Sequence, residues 1–234
     1  IGERTAYRVA KLLTKHGWFR MEHKGHHSLP IPIIPPDEDV RRAKELRACY
    51  EIAHYKGEFL LWALLDAVAF MDGAVHNARP DFLVHPVSGE KLEYDVFNPE
   101  TMDAWELQGF QHFGPTDKFP SDEKARQQQA NDFIKLGQSL VEGVNVIVLT
   151  YRDLSIDSIL KTLPDRIARR PLDRTSKCLR TLERLAADYR RWGAATDREL
   201  KAKRQQAREA ESVLTYDWLT VEEIEQLHSS PVPS

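Results

Sequence analysis

"KLEYDVFNPETMDAWELQG", residues 91–109, holds two short runs of alternating character on either side of a polar connection. A period of two is the signature of a strand, and a link as short as "NPETMD" makes the two strands antiparallel neighbours. Asp95 and Glu106 then lie on adjoining strands, with Glu106 and Gln108 on one face and Leu107 on the other. Two carboxylates held together make a poor core but a good seat for a hard divalent cation. On these two residues alone, a solvated sheet face that tolerates carboxylates is the simpler account.

Outward from this stretch, "RPDFLVHP" (79–86) reads as a first strand, turned into the second by "PVSGE", so that three strands form a meander. Upstream, residues 38–70 carry apolar side chains at helical spacing, which predicts two helices punctuated near Gly57, the second burying Phe59, Leu60, Ala63, Leu64 and Val68. Downstream, a polar helix over 122–141 presents Gln128, Asp132 and Lys135 on one face. It runs into "VNVIVLTY" (144–151), whose continuous apolar character suits a strand buried on both faces. Helix, meander, helix, strand is a mixed α/β arrangement.

The flanks differ in composition. Residues 1–28 read as a short helix and a polar stretch with His23, His26 and His27; "LPIPIIPPDED" (29–39) reads as an extended proline linker, with a helix starting at Asp37 or Asp39. From 156 onward the chain reads as helical. Leu179, Leu182, Leu185, Tyr189 and Trp192 form an apolar stripe, most simply the seam of a helical hairpin or a dimer contact, and Thr220 can cap a last helix. The organisation expected is therefore 1–40 as an N-terminal extension, 41–155 as the α/β core and 156–234 as a basic helical tail.

With 41% apolar and 29% charged residues among 234, the chain has the composition of a soluble globular protein. Even "FLLWALLDAVAF" (59–70) is cut by Asp66, which argues against a membrane span, so a soluble, cytoplasmic protein is expected. Cys49 and Cys178 make no ligand or redox motif and read as inert core residues. The net charge of −3 hides an asymmetry: residues 161–208 hold 15 Lys/Arg against 6 Asp/Glu. An anionic partner, nucleic acid first, is one account of that excess, and a solvated helix face is the other.

Taken in order, "KLEYDVFNP", "WELQGFQHF" (105–113) and "EKARQQQANDFIKLGQSLVEGVNVIVLTY" (123–151) resemble the pattern of the PD-(D/E)XK nuclease superfamily, in the branch of very-short-patch-repair and related homing-type endonucleases. The resemblance covers about 55–155 and implies a restriction-endonuclease-like mixed sheet flanked by helices. It implies Asp95 and Glu106 as metal ligands for Mg2+ or Mn2+, and His112 near the scissile phosphate as base or phosphate contact. Glu58 and Asp132 match the acids of the flanking helices, and Gln111 and Lys135 supporting positions on the nucleic acid. The superfamily's Lys two residues after the acid is replaced here by Gln108, so His112 is expected to take over its work. Asp81, in "RPDF", resembles the Pro-Asp of the short-patch nucleases and competes with Asp95 as central ligand.

The function expected is a Mg2+-dependent endonuclease acting on DNA. Its basic C-terminal helices, with Arg169, Arg170, Arg180 and Arg184, would hold the phosphate backbone, and a homodimer or a partner protein would use the same helices. The alternative is a nuclease-fold module without catalysis, which binds nucleic acid or serves assembly as a transposase-like subunit.

Overall fold

The computed structural model describes residues 19–24, 27–32, 36–109 and 122–216. The chain divides into two compact units, Ile1–Arg191 and Trp192–Ser234. In the first, β1 (Phe19–Lys24) and β2 (His27–Pro32) form an antiparallel hairpin with Arg20 opposite Ile31 and Lys24 opposite His27. The proline-rich stretch is thus partly a strand rather than a linker. A two-stranded ribbon has no central strand, so Pro30 and Pro32 cost it few ladder hydrogen bonds.

Two helices follow, α1 (Pro36–Ile52) and α2 (Lys56–Val68). Pro36 and the acids Asp37, Glu38 and Asp39 occupy the first turn of α1, where a missing N–H costs nothing and negative charge meets the positive end of the helix dipole. The interruption falls at residues 53–55, and Gly57 lies inside α2 rather than at a break. It is glycine because a Cβ there would stand 2.6 Å from both Leu107 Cδ2 and Tyr189 Oη. Buried on α2 are Leu60, Leu61, Leu64, Leu65 and Val68, while Phe59 and Ala63 are half-buried.

A four-stranded sheet in the order β3 (Val75–Ala78), β4 (Tyr94–Asn98), β5 (Asp103–Gln108), β6 (Asn145–Thr150) is antiparallel up to β5 and parallel between β5 and β6. The connection between β4 and β5 is fixed locally: the Asn98 side chain accepts hydrogen bonds from the amides of Glu100 (3.0 Å) and Thr101 (3.4 Å). A parallel neighbour requires a crossover, and α3 (Asp122–Val141) lies between β5 and β6 in the chain.

Two expectations for the sheet are corrected. The first strand is Val75–Ala78, not 79–86; Pro80 starts a turn, with Leu83 N donating to Pro80 O, and only a Val84–Lys91 bridge remains of the expected hairpin. Among the described residues β6 pairs with β5 alone, at an edge of the sheet, and Val148 is 43% exposed rather than buried on both faces.

On one face of the sheet, Val96, Trp105 and Leu149 pack with α2, with α4 (Ile156–Thr162) and with the start of α5 (Lys177–Tyr216). Leu179, Leu182, Leu185 and Ala186 belong to this core, so the stripe expected to seam a hairpin instead closes the α/β layer, and the core runs past residue 155. On the other face Tyr94, Phe97 and Ala104 pack with Leu83 and Val144. There α3 is tied down by the buried Tyr94–Ser139 hydroxyl pair.

Two polar anchors fix the frame. Asp103, fully buried at the start of β5, accepts from Arg166 through both oxygens and from Asn145 Nδ2 at 2.8 Å. Asp39 of α1 is buried against the first turn of α5, accepting from Ser176 Oγ (2.6 Å), Lys177 N (2.6 Å) and Cys178 N (3.0 Å). Burial opposes its charge, but those hydrogen bonds prevail and hold the carboxyl below its ordinary range. Cys178 is half-buried and Cys49 is exposed, not a core residue.

In the second unit the end of α5 carries i,i+4 ion pairs, Lys201 with Asp197 (3.2 Å) and Lys203 with Glu199 (2.9 Å). Trp192 is 54% exposed. The expected last helix with Thr220 lies outside the described residues. Among the described residues no helix is long and apolar enough to cross a membrane.

Candidate active site

The ladder between β4 and β5 pairs Val96 with Trp105, Phe97 with Ala104 and Asn98 with Asp103. Past Val96 the next partner is a side chain: the Asp95 carboxylate accepts the Leu107 N–H at 2.7 Å. Satisfying a backbone donor in this way fixes where Asp95 stands relative to β5. Burial pushes the Asp95 carboxyl above its ordinary range, against the Leu107 amide and Lys135, while Glu93 adds to the rise and His76 opposes it.

On β5, Leu107 packs into the core beside Gly57, and Glu106 meets α3. Lys135 Nζ donates to both Glu106 oxygens at 2.9 Å, with the two side chains only 14% and 16% exposed. Burial lifts the Glu106 carboxyl up to about 8; Asp95 and Asp132 add to the rise and Lys135 opposes it. Lys135 also stands 5.9 Å from the centre of the Tyr94 ring, a cation over an aromatic face. Ser139 anchors this turn, its hydroxyl donating to Lys135 O at 2.6 Å.

From α2, Glu58 completes the cluster. Burial, then the negative charges of Asp95 and Glu93, raise its carboxyl to about 7, and Lys135 opposes them. Its lift by Asp95 and its pull by Lys135 place it electrostatically with the pair on β4 and β5. Tyr189 of α5, whose hydroxyl lies against Gly57, is pushed up to about 12 by burial first, with Tyr50 and Glu58 adding. Lys135 of α3 thus meets Glu106 of β5, Asp95 of β4 is held on the next residue's amide, and Glu58, Asp132 and Glu93 act on this group through charge.

Asp81 and the four arginine candidates fall elsewhere. Gln108 is half-buried at the end of β5, whereas the lysine at the centre of the site comes from α3. Lys135, for which the resemblance implies a nucleic-acid contact, has its ammonium on Glu106. Asp81 lies in the exposed turn after β3, paired with Lys91 at 2.6 Å, so its charge is answered there. His112 and Gln111 lie outside the described residues. Arg170 is a structural clamp: Nε donates to Ala69 O at 2.7 Å, the guanidinium reaches Asp66 at 3.2 Å and it stacks over Phe70. Arg169 faces Asp165 at 3.6 Å, and Arg180 and Arg184 are exposed on α5. Sequence reasoning missed Glu93, which stands just before β4 and acts on Asp95 and Glu58 through charge. It is ion-paired with Arg79 at 2.7 Å.

Among the described residues no three His, Cys, Asp or Glu side chains form a group that could hold a metal ion. The cluster offers two hard carboxylates, Asp95 and Glu106, whose charge is under-compensated.

No family model matches the chain, and no solved structure matches it. A protein of Invertebrate iridescent virus 3, described as "Uncharacterized protein 033L", is 39% identical over 76 residues, covering 32% of this chain. The chain spans about two-fifths (39%) of the length of that curated relative.

Proposed function

We propose that this protein is a metal-dependent endodeoxyribonuclease with a restriction-endonuclease-like core. The observation that carries the reading is the half-buried Lys135–Glu106 ion pair on β5 with Asp95 held on the neighbouring Leu107 amide, Glu58 of α2 being coupled to Asp95 and Lys135 through charge. It accords with the residue order that the sequence resemblance implies, and Lys135 supplies from α3 the positive charge that Gln108 lacks.

Asp95 and Glu106 fit Mg2+ or Mn2+ as ligands: both are hard oxygen donors, and burial holds both above their ordinary pKa, so a dication would relieve an existing charge deficit. Mg2+ commonly takes one or two carboxylates and completes its sphere with water and substrate phosphates, so a two-carboxylate set suffices. When bound, such an ion polarises a phosphoryl oxygen and makes attacking water more acidic. Lys135 Nζ orients Glu106 and offers positive charge for the phosphate that gathers charge in the reaction. Glu58, with a carboxyl near 7, is suited to hold or release a proton at neutral pH. His112 enters on the resemblance alone, as base or phosphate contact.

The test is cleavage of supercoiled plasmid and single-stranded DNA across Mg2+, Mn2+ and EDTA, beside Asp95→Ala. Metal-dependent nicking or cutting that vanishes in the variant supports the reading. Silence with every metal, while DNA binding persists, sinks autonomous catalysis and favours the binding or assembly module.

A further inference from the structure

The anchoring of Asp39 on the first turn of α5 sets α1 beside the start of that helix and leaves a surface groove of about 450 Å³ between them. Five cations line it: Lys44 and Arg47 from α1, and Lys177, Arg180 and Arg184 from α5. No acidic side chain lines it, although the chain as a whole carries a net charge of −3. Its other lining residues, Val40, Ala43 and Thr181, are uncharged.

The contrast with neighbouring cations on the same helix is informative. Arg41 is bound to Glu38 and Glu45, and Arg42 to Glu38. Among the described residues, none of the five groove cations is in salt-bridge distance of a carboxylate; Lys177 acts on the buried Asp39 through charge, and Arg180 Nε makes a 3.4 Å bond to Ser176 O. Lys44 with Arg47 and Lys177 with Arg180 are i,i+3 pairs, and Arg180 with Arg184 is an i,i+4 pair, so each helix bears like charges one turn apart. Such spacing weakens a helix unless an anion answers it. Lys177 to Arg184 spans seven residues, roughly 10 Å along the axis, the scale of a run of two or three backbone phosphates.

We infer that this groove is a binding site for the phosphate backbone of DNA, adding Lys44, Arg47 and Lys177 to the two arginines named from sequence. The inference rests on the nuclease reading for its choice of polyanion, and it deepens that reading by saying where flanking DNA is held. Three guanidiniums favour phosphate, which they can meet through paired N–H groups.

The test is fluorescence anisotropy of the full chain with a labelled 30-base-pair duplex in EDTA, from 50 to 300 mM NaCl. Arg180→Gln/Arg184→Gln and Lys44→Gln/Arg47→Gln are compared with Arg41→Gln, a charge loss on the same helix outside the groove. Every cation withdrawn from a phosphate should reduce the slope of log affinity against log salt by about 0.9. Each double variant is therefore expected to lose about two units of slope and to bind at least tenfold more weakly, with Arg41→Gln unchanged. Equal slopes in the groove variants and the unaltered protein would overturn the inference, as would binding of polyglutamate but not of duplex. Cleavage is scored separately. A protein that cuts yet shows equal slopes keeps the nuclease reading and loses the groove, while one that never cuts yet loses slope does the reverse.

Discussion

Replacing Glu106 by glutamine tests whether the cluster is built at the expense of stability. The Glu106 carboxyl rises from an ordinary 4.5 to about 8 in the folded protein, chiefly by burial. An acid whose folded pKa is raised favours the folded state when protonated. Its contribution is complete below about 4.5 and is lost as pH climbs through about 8. At about 1.4 kcal/mol per pH unit over the interval in which only the unfolded chain has released the proton, the loss between pH 5 and pH 8 is about 3 kcal/mol. Glu106→Gln keeps the shape and can still accept from Lys135, whose charge also acts on Asp95. The assay is urea unfolding of both proteins at pH 5, 6.5 and 8 without metal. We expect the variant to gain on the unaltered protein as pH rises, by about 3 kcal/mol at pH 8 relative to pH 5. Adding Mg2+ at pH 8 should narrow the gap, since ion binding at Asp95 and Glu106 replaces the lost proton. Parallel stability profiles for the two proteins would refute the claim that Glu106 is held strained by burial.

Lys135→Gln should lower cleavage by about a hundredfold while Gln108→Ala changes it little, because the charge beside Glu106 comes from α3; single-turnover rates at saturating metal would decide. Gly57→Ala should destabilise the fold by about 1–3 kcal/mol despite alanine's better helix propensity, since its Cβ would press on Leu107 and Tyr189; the melting temperature reads this directly. Asp39→Ala should cost about 2 kcal/mol at pH 7 by uncapping α5 and untying α1, read by urea unfolding. Because the Asp39 carboxyl is held below its ordinary 3.8, that contribution is present above this value and lost as pH falls through the lower one, so the two proteins should converge in acid.

The local pattern of residues 91–109 and 122–151 was legible because each element there satisfies its own backbone and alternates or repeats with its own period. The antiparallel pair β4–β5, the α3 bounds and the β6 strand follow from that. Asp95 and Glu106 could be paired from the two strand patterns, whereas Glu58 and Asp132 joined them only through the family resemblance.

What sequence by itself determined, then, was the succession of helices and of the β4, β5 and β6 strands between residues 36 and 151, because that depends on near neighbours in the chain. Only the tertiary structure decided how their side chains are used. Lys135, named from its helix face, meets Glu106 from 29 residues away, so no spacing rule pairs the two, and the burial that lifts Glu58 and Glu106 is a property of packed layers. The stripe on α5 could equally have faced a second helix; the sheet face bearing Val96 and Trp105 claims it. Asp39, one acid among several in a first turn, became the cap of a helix 138 residues further on. Long-range partners of this kind are chosen by which surfaces exclude water together, and a linear pattern does not carry that information.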